Sequence, residues 1–431
     1  MEKRVGLFAV ITFALVYHLL FFRHAMPVQE GWFQLFGENI LKGQMPYKDF
    51  YSHFQPVYLY IHAFLIGAFG DGFIVGRVYG IFERILLLSS AYLLLTRFFE
   101  PKYVFTALVT SLMVYSGAAT DGIMSYNQLC LTFALFSCFF ASFYVVDLFS
   151  RASLRLLFLG GIFGGLSFLT KQTTGLFVPL AIFVVIFLQG VKTRRLAGIM
   201  VYAFGSLFPS ALFMLFLNRH GALGDYFSQV FTAASGEGSV FSLSSGFLTS
   251  TMVSGYIIPF FVIALLLAAV RIAFEKALPM RNEPDGSLGR YEMLAVLSSF
   301  CLVILFLHAS VDFWSWFYSA SHVRGWFDGI RQQIVIYSFF FIMCYFLYYI
   351  GRVLFIYEYD RLVVFKALVS ALGLAVMYFS QGVGALAVIP SMTVMLVFLF
   401  SADYPFVIIK NKILYLFCFL IILFSAAQRF Q

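Results

Sequence analysis

Residues 72–96 of the chain read GFIVGRVYGIFERILLLSSAYLLLT. The stretch is long enough to cross a hydrocarbon core of about 30 Å as a helix, and its only charged residues are Arg77 near its start and Glu83 and Arg84 near its middle. Runs of roughly 18 or more mostly apolar residues recur along the whole sequence, and we expect about 12 or 13 of them to span a membrane. The sequence therefore predicts an all-α fold, a polytopic bundle of transmembrane helices.

The composition excludes an ordinary soluble domain. Of the 431 residues, 62% are hydrophobic and 11% are charged, a more apolar and less charged balance than soluble proteins have. The formal charge of +8 does not indicate a nucleic-acid partner, because the basic residues fall in short connections between the apolar runs. We expect the five cysteines to be buried core residues without disulfides or zinc, since all lie in apolar stretches: Cys130, Cys138, Cys301, Cys344 and Cys418.

The basic residues predict the topology. Lys3 and Arg4 precede the first span, about residues 5–22, and this places the N-terminus in the cytoplasm. Later basic clusters fall in alternate connections, so the loops 23–55, 218–250 and 308–333 are expected to face outward. The alternation holds if the short apolar stretch 57–70 lies in the interface instead of crossing the bilayer. We expect a multi-pass protein of the inner (plasma) membrane.

The predicted outward loops carry most of the distinctive polar and aromatic chemistry. Their carboxylates are Glu30, Glu38, Asp49, Asp225, Glu237, Asp312 and Asp328, and they contain all four tryptophans, Trp32, Trp314, Trp316 and Trp326. Two interpretations stay open for the tryptophans. They form an aromatic belt at the membrane interface, or they roof a site in which aromatic faces and carboxylates hold a polyhydroxyl ligand such as a sugar.

A short amphipathic helix is expected in the first outward loop. Its apolar residues recur at helical spacing and are Trp32, Phe33, Leu35, Phe36 and Ile40, with Gln34, Glu38 and Asn39 on other faces. Gly43 is expected to end it, and Pro46 to begin the next turn. Glu30 then lies near the helix start, where its carboxylate suits a general base or simply complements the helix dipole.

Three cationic side chains lie in or beside apolar stretches. Arg77 and Arg84 share one face of the predicted helix over residues 72–96, and ionised groups at such depth need a partner or water. Arg77 lies close enough to the outer headgroups for a bidentate contact with a lipid phosphate, whereas we expect Arg84 to pair inside the protein. Lys171 follows a glycine-rich helix, and it meets an outer-leaflet phosphate or serves as an interfacial anchor.

The order of these motifs resembles that of the C-type (GT-C) glycosyltransferase superfamily, in particular glycosyltransferase family 39-like members such as bacterial protein-mannosyltransferases and aminoarabinose transferases. The resemblance covers about the first 190 residues. The residues that carry it are Glu30-Gly31-Trp32, Pro46-Tyr47-Lys48-Asp49-Phe50, His53, Pro56, Gly76-Arg77 and Gly165-Leu166-Ser167-Phe168-Leu169-Thr170-Lys171. It implies one integral membrane domain over residues 1–431, with a catalytic part at 1–190 and further transmembrane helices at 191–431.

The resemblance implies transfer of a sugar from a polyprenyl-phosphate donor to a lipid, glycan or protein acceptor at the extracytoplasmic face, with inversion. The implied catalytic residues are Glu30, as base, and Asp49. The implied substrate-binding residues are Trp32, Tyr47 and His53 near the sugar, and Arg77 and Lys171 at the phosphate. Many members show Asp-Glu or Asp-Gly at the first motif, whereas this chain has Gln29-Glu30. Acceptor recognition is expected to fall to the loops 218–250 and 308–333.

Other classes of membrane protein remain alternatives at this stage. A nucleotide-sugar or ATP donor is not expected, because the sequence has no Rossmann fingerprint or P-loop. The sequence assigns no certain cofactor and no metal ligand set, and a divalent cation shared between carboxylates and a phosphate stays open. A flippase or transporter for lipid-linked sugars and an oligosaccharide polymerase both need many spans. The gathering of charge at the outward face favours a surface enzyme over a conduit.

Overall fold

The computed structural model describes residues 2–20, 27–115, 125–146, 151–193 and 197–233. These residues are 84% helical and contain no strand, so the all-α prediction is confirmed for this part of the chain. The predicted loop 308–333, the end of the loop 218–250 and the last three tryptophans lie outside the described residues. The helices are α1 Lys3–Leu20, α2 Pro27–Leu41, α3 Pro56–Phe69, α4 Phe73–Leu95, α5 Pro101–Tyr115, α6 Tyr126–Val146, α7 Arg151–Phe168, α8 Gln172–Thr193, α9 Ala197–Arg219 and α10 Leu223–Phe227.

Three of the described helices, α4, α6 and α9, are long and apolar enough to cross a membrane. The first of them coincides with the stretch 72–96, and α1 corresponds to the predicted first span. The chain is thus a helical membrane protein, while the total number of spans and the side that each loop faces stay predictions. Cys130 and Cys138 of α6 are buried, as expected, and the remaining cysteines lie outside the described residues.

Helix α3 is too short to cross the bilayer, as the topology requires. Its 14 residues extend over about 21 Å. Pro56 occupies its first turn, where the missing N–H is no loss. Gly70 ends it with a φ of 93° and donates its N–H to the Ile66 carbonyl at 2.8 Å. The helix packs chiefly against α2.

Helix α2 forms where the sequence predicts a helix, at Pro27–Leu41. The chain turns at Gly43, whose φ is 85°. Phe33 is fully buried, whereas Trp32 and Leu35 are exposed. Helix α3 covers the Phe33 side of α2 and leaves the Trp32 side open.

The described residues divide into two compact units. The second includes residues 102–115, most of α5, and every other described helix belongs to the first. In the first unit, α7 packs most extensively against α6 and α9, α4 packs against α6 and α1, and α8 packs against α7, α6 and α9. Arg84 is buried in α4 near His18 of α1, which agrees with the expectation that it interacts inside the protein.

The close packing of α7 on α9 depends on glycine. A Cβ added at Gly161 would lie 2.6 Å from the Tyr202 carbonyl oxygen and 2.9 Å from the Gly205 Cα, and one added at Gly205 would lie 2.6 Å from the Phe158 carbonyl oxygen. Real Cβ atoms do not approach backbone atoms this closely. The glycines of the glycine-rich stretch therefore let these two helices approach closely.

Gly161→Ala is expected to push α7 and α9 apart and lower stability by about 1–3 kcal/mol, since the added methyl group meets only backbone atoms. The measurement is the thermal unfolding midpoint in detergent micelles. Gly224→Ala, where a Cβ meets nothing within 4 Å, is the matched control and should leave the midpoint nearly unchanged. Equal midpoints for the two variants would contradict the packing role of Gly161.

Candidate functional site

Phe33 of α2 is the centre of an aromatic cluster at one end of the first unit. Its ring centroid lies 4.5 Å from that of Tyr58, 5.1 Å from Phe54, 5.2 Å from His62 and 6.2 Å from Tyr126. We call these five side chains the first-loop cluster. It joins α2, the loop that follows, α3 and the start of α6, and such aromatic contacts stabilise beyond the apolar area that they bury. Burial lowers the pKa of His62 to about 4, so this ring is neutral at pH 7.

The loop between α2 and α3 is held in a defined shape. Tyr47 adopts a φ of 72°, and its hydroxyl donates to the Phe54 carbonyl at 2.9 Å. Its carbonyl accepts from the amide of Gln229, whose Oε1 accepts the Ser52 N–H at 2.9 Å. Burial holds the pKa of the Tyr47 hydroxyl well above its usual range. Tyr47 therefore fixes the loop, and its hydroxyl is already engaged with the protein.

Residues after α9 hold this loop from the other side. Tyr226 of α10 donates its hydroxyl to Gln55 Oε1 at 2.9 Å, and its ring packs edge-on against Tyr47 with centroids 5.0 Å apart. Lys48 donates to the His220 carbonyl at 3.1 Å. Residues 218–233, the beginning of the second predicted outward loop, thus meet the first one. Both loops lie at the same end of the helices, as the predicted topology requires.

Lys171 lies in the turn between α7 and α8, buried beside the first-loop cluster. Its Nζ donates to Asn127 Oδ1 at 2.7 Å and sits 5.6 Å from the centre of the Tyr126 ring. Leu169, in the same turn, accepts the Val57 N–H at 3.1 Å. Burial lowers the pKa of Lys171 to about 8. The ammonium still carries its proton at pH 7, next to two residues that favour a cation.

Glu83 of α4 is fully buried, beside Tyr58 of the first-loop cluster. Its Oε2 accepts the Ser125 N–H at 3.4 Å, directly before α6, and the hydroxyls of Tyr58 and Tyr79 lie close to the carboxylate. Glu83 has no role predicted from the sequence. A buried carboxyl group needs polar neighbours. Tyr58 and Tyr79 are such neighbours, but the sequence does not show that α3, α4 and the start of α6 meet at Glu83.

The other predicted site residues occupy several kinds of position. Asp49 is exposed and closes a turn, since its Oδ2 accepts the Met45 N–H at 2.6 Å. Trp32 and His53 are exposed beside Phe54, with ring centroids 6.4 Å and 4.1 Å from it. Arg77 is half-buried in α4. The backbone of Glu30 lies in the first turn of α2, as predicted, and its side chain is outside the described part of the structure.

The arrangement brings several predicted residues together. Trp32, Tyr47, His53 and Lys171 all belong to or border the first-loop cluster, although long stretches of sequence separate them. Asn127 and Gln229 are the polar partners that sequence reasoning missed, because an amide in a polar loop carries no distinguishing pattern. Within the described residues, no group of three or more His, Cys, Asp or Glu side chains could hold a metal ion.

Comparison of the sequence with protein-family models, with curated proteins and with solved structures found no match. The function is therefore argued from the residues themselves. The site has a buried cation in the turn between α7 and α8, aromatic rings next to this cation, and an ordered loop that carries exposed polar side chains.

The pH dependence of stability tests the burial of Lys171. Its pKa is about 8 in the folded protein against an ordinary value of 10.5, so the unfolded chain binds more protons between these two values. Stability contributed by this group therefore rises with pH across that window, by about 3 kcal/mol in full. The measurement is the unfolding midpoint of the wild type relative to Lys171→Met from pH 7.5 to 10.5.

The unfolding midpoint of the wild type should rise relative to that of Lys171→Met as the pH rises. Lys42→Met is the control because Lys42 is exposed directly after α2 and pairs with Glu38, at 3.5 Å. If the difference in unfolding midpoint between the wild type and Lys171→Met stays constant from pH 7.5 to 10.5, the Lys171 ammonium is hydrated and the prediction is wrong.

Proposed function

We propose that the protein is a membrane glycosyltransferase that transfers a sugar from a polyprenyl-phosphate donor to a lipid, glycan or protein acceptor, with inversion at the anomeric carbon. In this proposal the fold is of the GT-C type with about 12 or 13 spans. The N-terminus is cytoplasmic, and the site faces the extracytoplasmic side of the plasma membrane. No nucleotide takes part: the bond between the anomeric carbon and the phosphate oxygen breaks, the lipid phosphate departs, and the sugar passes to the acceptor, whose proton goes to the base.

The observation that carries this proposal is the meeting of the motif segments around the first-loop cluster. Phe33 follows the Glu30-Gly31-Trp32 motif, Tyr47 and Phe50 belong to the second motif, and Lys171 ends the third. Phe50 stacks on Phe36 with centroids 5.6 Å apart, and the Val57 N–H reaches Leu169 at 3.1 Å. Segments that lie far apart in sequence assemble into one neighbourhood, as one reaction site would require.

Lys171 has the properties of a phosphate-binding group in this reaction. Its ammonium is protonated at pH 7 and shielded from bulk water, where an electrostatic contact to a phosphate is stronger than in solution. Negative charge develops on the phosphate as the glycosidic bond breaks. A fixed cation with no reorganisation to undergo stabilises that charge. Arg77 of α4 is proposed as a second phosphate-binding group through its bidentate guanidinium.

Glu30 is the proposed base. It lies one helical turn before Phe33 in α2, so its backbone is anchored by the buried Phe33 ring. An inverting displacement needs one carboxylate on the acceptor side to take the proton of the attacking hydroxyl or amine. Asp49 stays a candidate for contact with the sugar or acceptor, because one of its carboxylate oxygens closes the 45–49 turn and the side chain is exposed. Trp32 and His53 offer exposed rings for stacking against a sugar.

Glu30→Gln is expected to lower the rate of transfer by about 100-fold or more while donor binding persists, because the amide cannot accept the proton. The measurement is transfer by purified protein in liposomes, with labelled polyprenyl-phosphate sugars as donors and membrane lipid and glycan extract as acceptor. Glu38→Gln, on the same helix and paired with Lys42 at 3.5 Å, is the matched control. Full turnover in Glu30→Gln would refute the base, and labelled lipid crossing the bilayer unchanged would favour a flippase.

Arg77→Ala is expected to raise the KM for the donor about tenfold or more, since a charge-assisted contact to phosphate is lost. The comparison is with Lys42→Ala, which removes an exposed cation directly after α2 and should leave the KM unchanged. Equal KM values for Arg77→Ala and the wild type would remove Arg77 from the donor site.

A further inference from the structure

We propose that Glu83 is a positioning residue, whose carboxylate anchors the start of α6 so that Asn127 and Tyr126 hold the Lys171 ammonium in place. The role of Lys171 as a phosphate-binding group rests on the proposed function. The positioning itself rests on contacts in the structure and can be tested without a sugar donor.

Glu83 is held where a charged group needs several partners. It belongs to α4, one of the helices able to cross a membrane, and its side chain has no exposed surface. A carboxyl group removed from water is stable only beside polar groups. Its Oε2 accepts the Ser125 N–H at 3.4 Å, and the hydroxyls of Tyr58 and Tyr79 lie beside the carboxyl group. Full burial also keeps Glu83 away from any acceptor, so it is not a second base.

Ser125 is the residue from which α6 starts. Its carbonyl accepts the N–H groups of Gln128, at 2.9 Å, and Leu129, at 3.3 Å, so it stands at the N-cap of a 21-residue helix. Glu83 therefore fixes both the position of the N-cap and the direction in which the first turn leaves it.

That first turn contains the two residues that hold Lys171. Asn127 Oδ1 accepts from Nζ at 2.7 Å, and the Tyr126 ring lies 5.6 Å from the same atom. Tyr126 also packs on Tyr58, with centroids 6.3 Å apart, so the tyrosine beside Glu83 is at the same time a neighbour of the ring beside Lys171. The path from Glu83 to the ammonium thus passes through Ser125 and two residues of one helical turn.

Lysine labelling tests this path directly. The purified protein in liposomes is treated with a water-soluble amine-acylating reagent, and the extent of labelling at Lys171 is read by peptide mass spectrometry relative to that at the exposed Lys42. Glu83→Leu, which removes the acceptor of the Ser125 N–H, should raise Lys171 labelling about fivefold. Glu83→Gln keeps an oxygen acceptor and should stay within about twofold of the wild type. Asn127→Leu removes the direct partner and is the positive control.

A second variant reaches the same hydrogen bond from the other side. Ser125→Pro removes the N–H that Glu83 accepts but keeps the Ser125 carbonyl position, and proline is tolerated at the start of a helix. It should raise Lys171 labelling as Glu83→Leu does. If Glu83→Leu does not elute as a monodisperse protein, Ser125→Pro decides the question. Wild-type labelling in the folded variants, with raised labelling in Asn127→Leu, would overturn the proposal.

Transfer kinetics separate this inference from the proposed function. If both are right, Glu83→Leu raises the KM for the donor about fivefold with a smaller change in kcat, and Glu83→Gln restores the wild-type KM. If the wild type transfers no sugar but Lys171 labelling responds as expected, the glycosyltransferase proposal fails and the positioning role stands. If transfer occurs and labelling does not respond, only the positioning role fails.

Discussion

The burial of one ammonium group, that of Lys171, is the constraint on which the rest of this site depends. An unpaired cation away from water is unfavourable by several kcal/mol, so the turn between α7 and α8 must bring the amine to an acceptor. Asn127 supplies a carbonyl oxygen at 2.7 Å and Tyr126 an aromatic face. Both side chains come from α6, and this ties the α7–α8 turn to the start of that helix. The bond from Val57 to Leu169 ties the same turn to α3.

Helix packing brings the loop-clamping residues to this site. Glycines on α7 let α9 approach until backbone meets backbone, and α9 leads directly into the residues that clamp the first loop. Gln229 makes two hydrogen bonds to that loop: it donates to the Tyr47 carbonyl and accepts the Ser52 N–H. A substitution at Gly161, far from the loop in sequence, would therefore act on the loop through the position of α9. The glycines are therefore required for helix packing, and through α9 they also affect the position of the first loop.

The proposed reaction requires a fixed loop. A base and a phosphate-binding cation work as a pair only if their separation is fixed before substrate arrives. The first-loop cluster links α2, whose first turn contains Glu30, to the Tyr126 ring beside Lys171. In a transporter, conformational changes would have to break or move the contacts of Phe33 with α3 and α6. A polar and aromatic surface lies next to the first-loop cluster. It consists of the exposed side chains of Trp32, His53 and Asp49.

Hydrophobic run length and glycine conformation are local properties, so the sequence alone predicts the helical membrane character, the short α3, the helix in the first predicted outward loop and its turn at Gly43. It also marks Arg77 and Arg84 as charges that need a partner or water. Long-range packing, by contrast, buries Phe33 and leaves Trp32 exposed, engages the Tyr47 hydroxyl, buries Lys171 and brings Glu83 to Ser125. Burial and hydrogen bonding at these positions depend on residues far away in the chain, and nothing in the local pattern specifies which of them arrives.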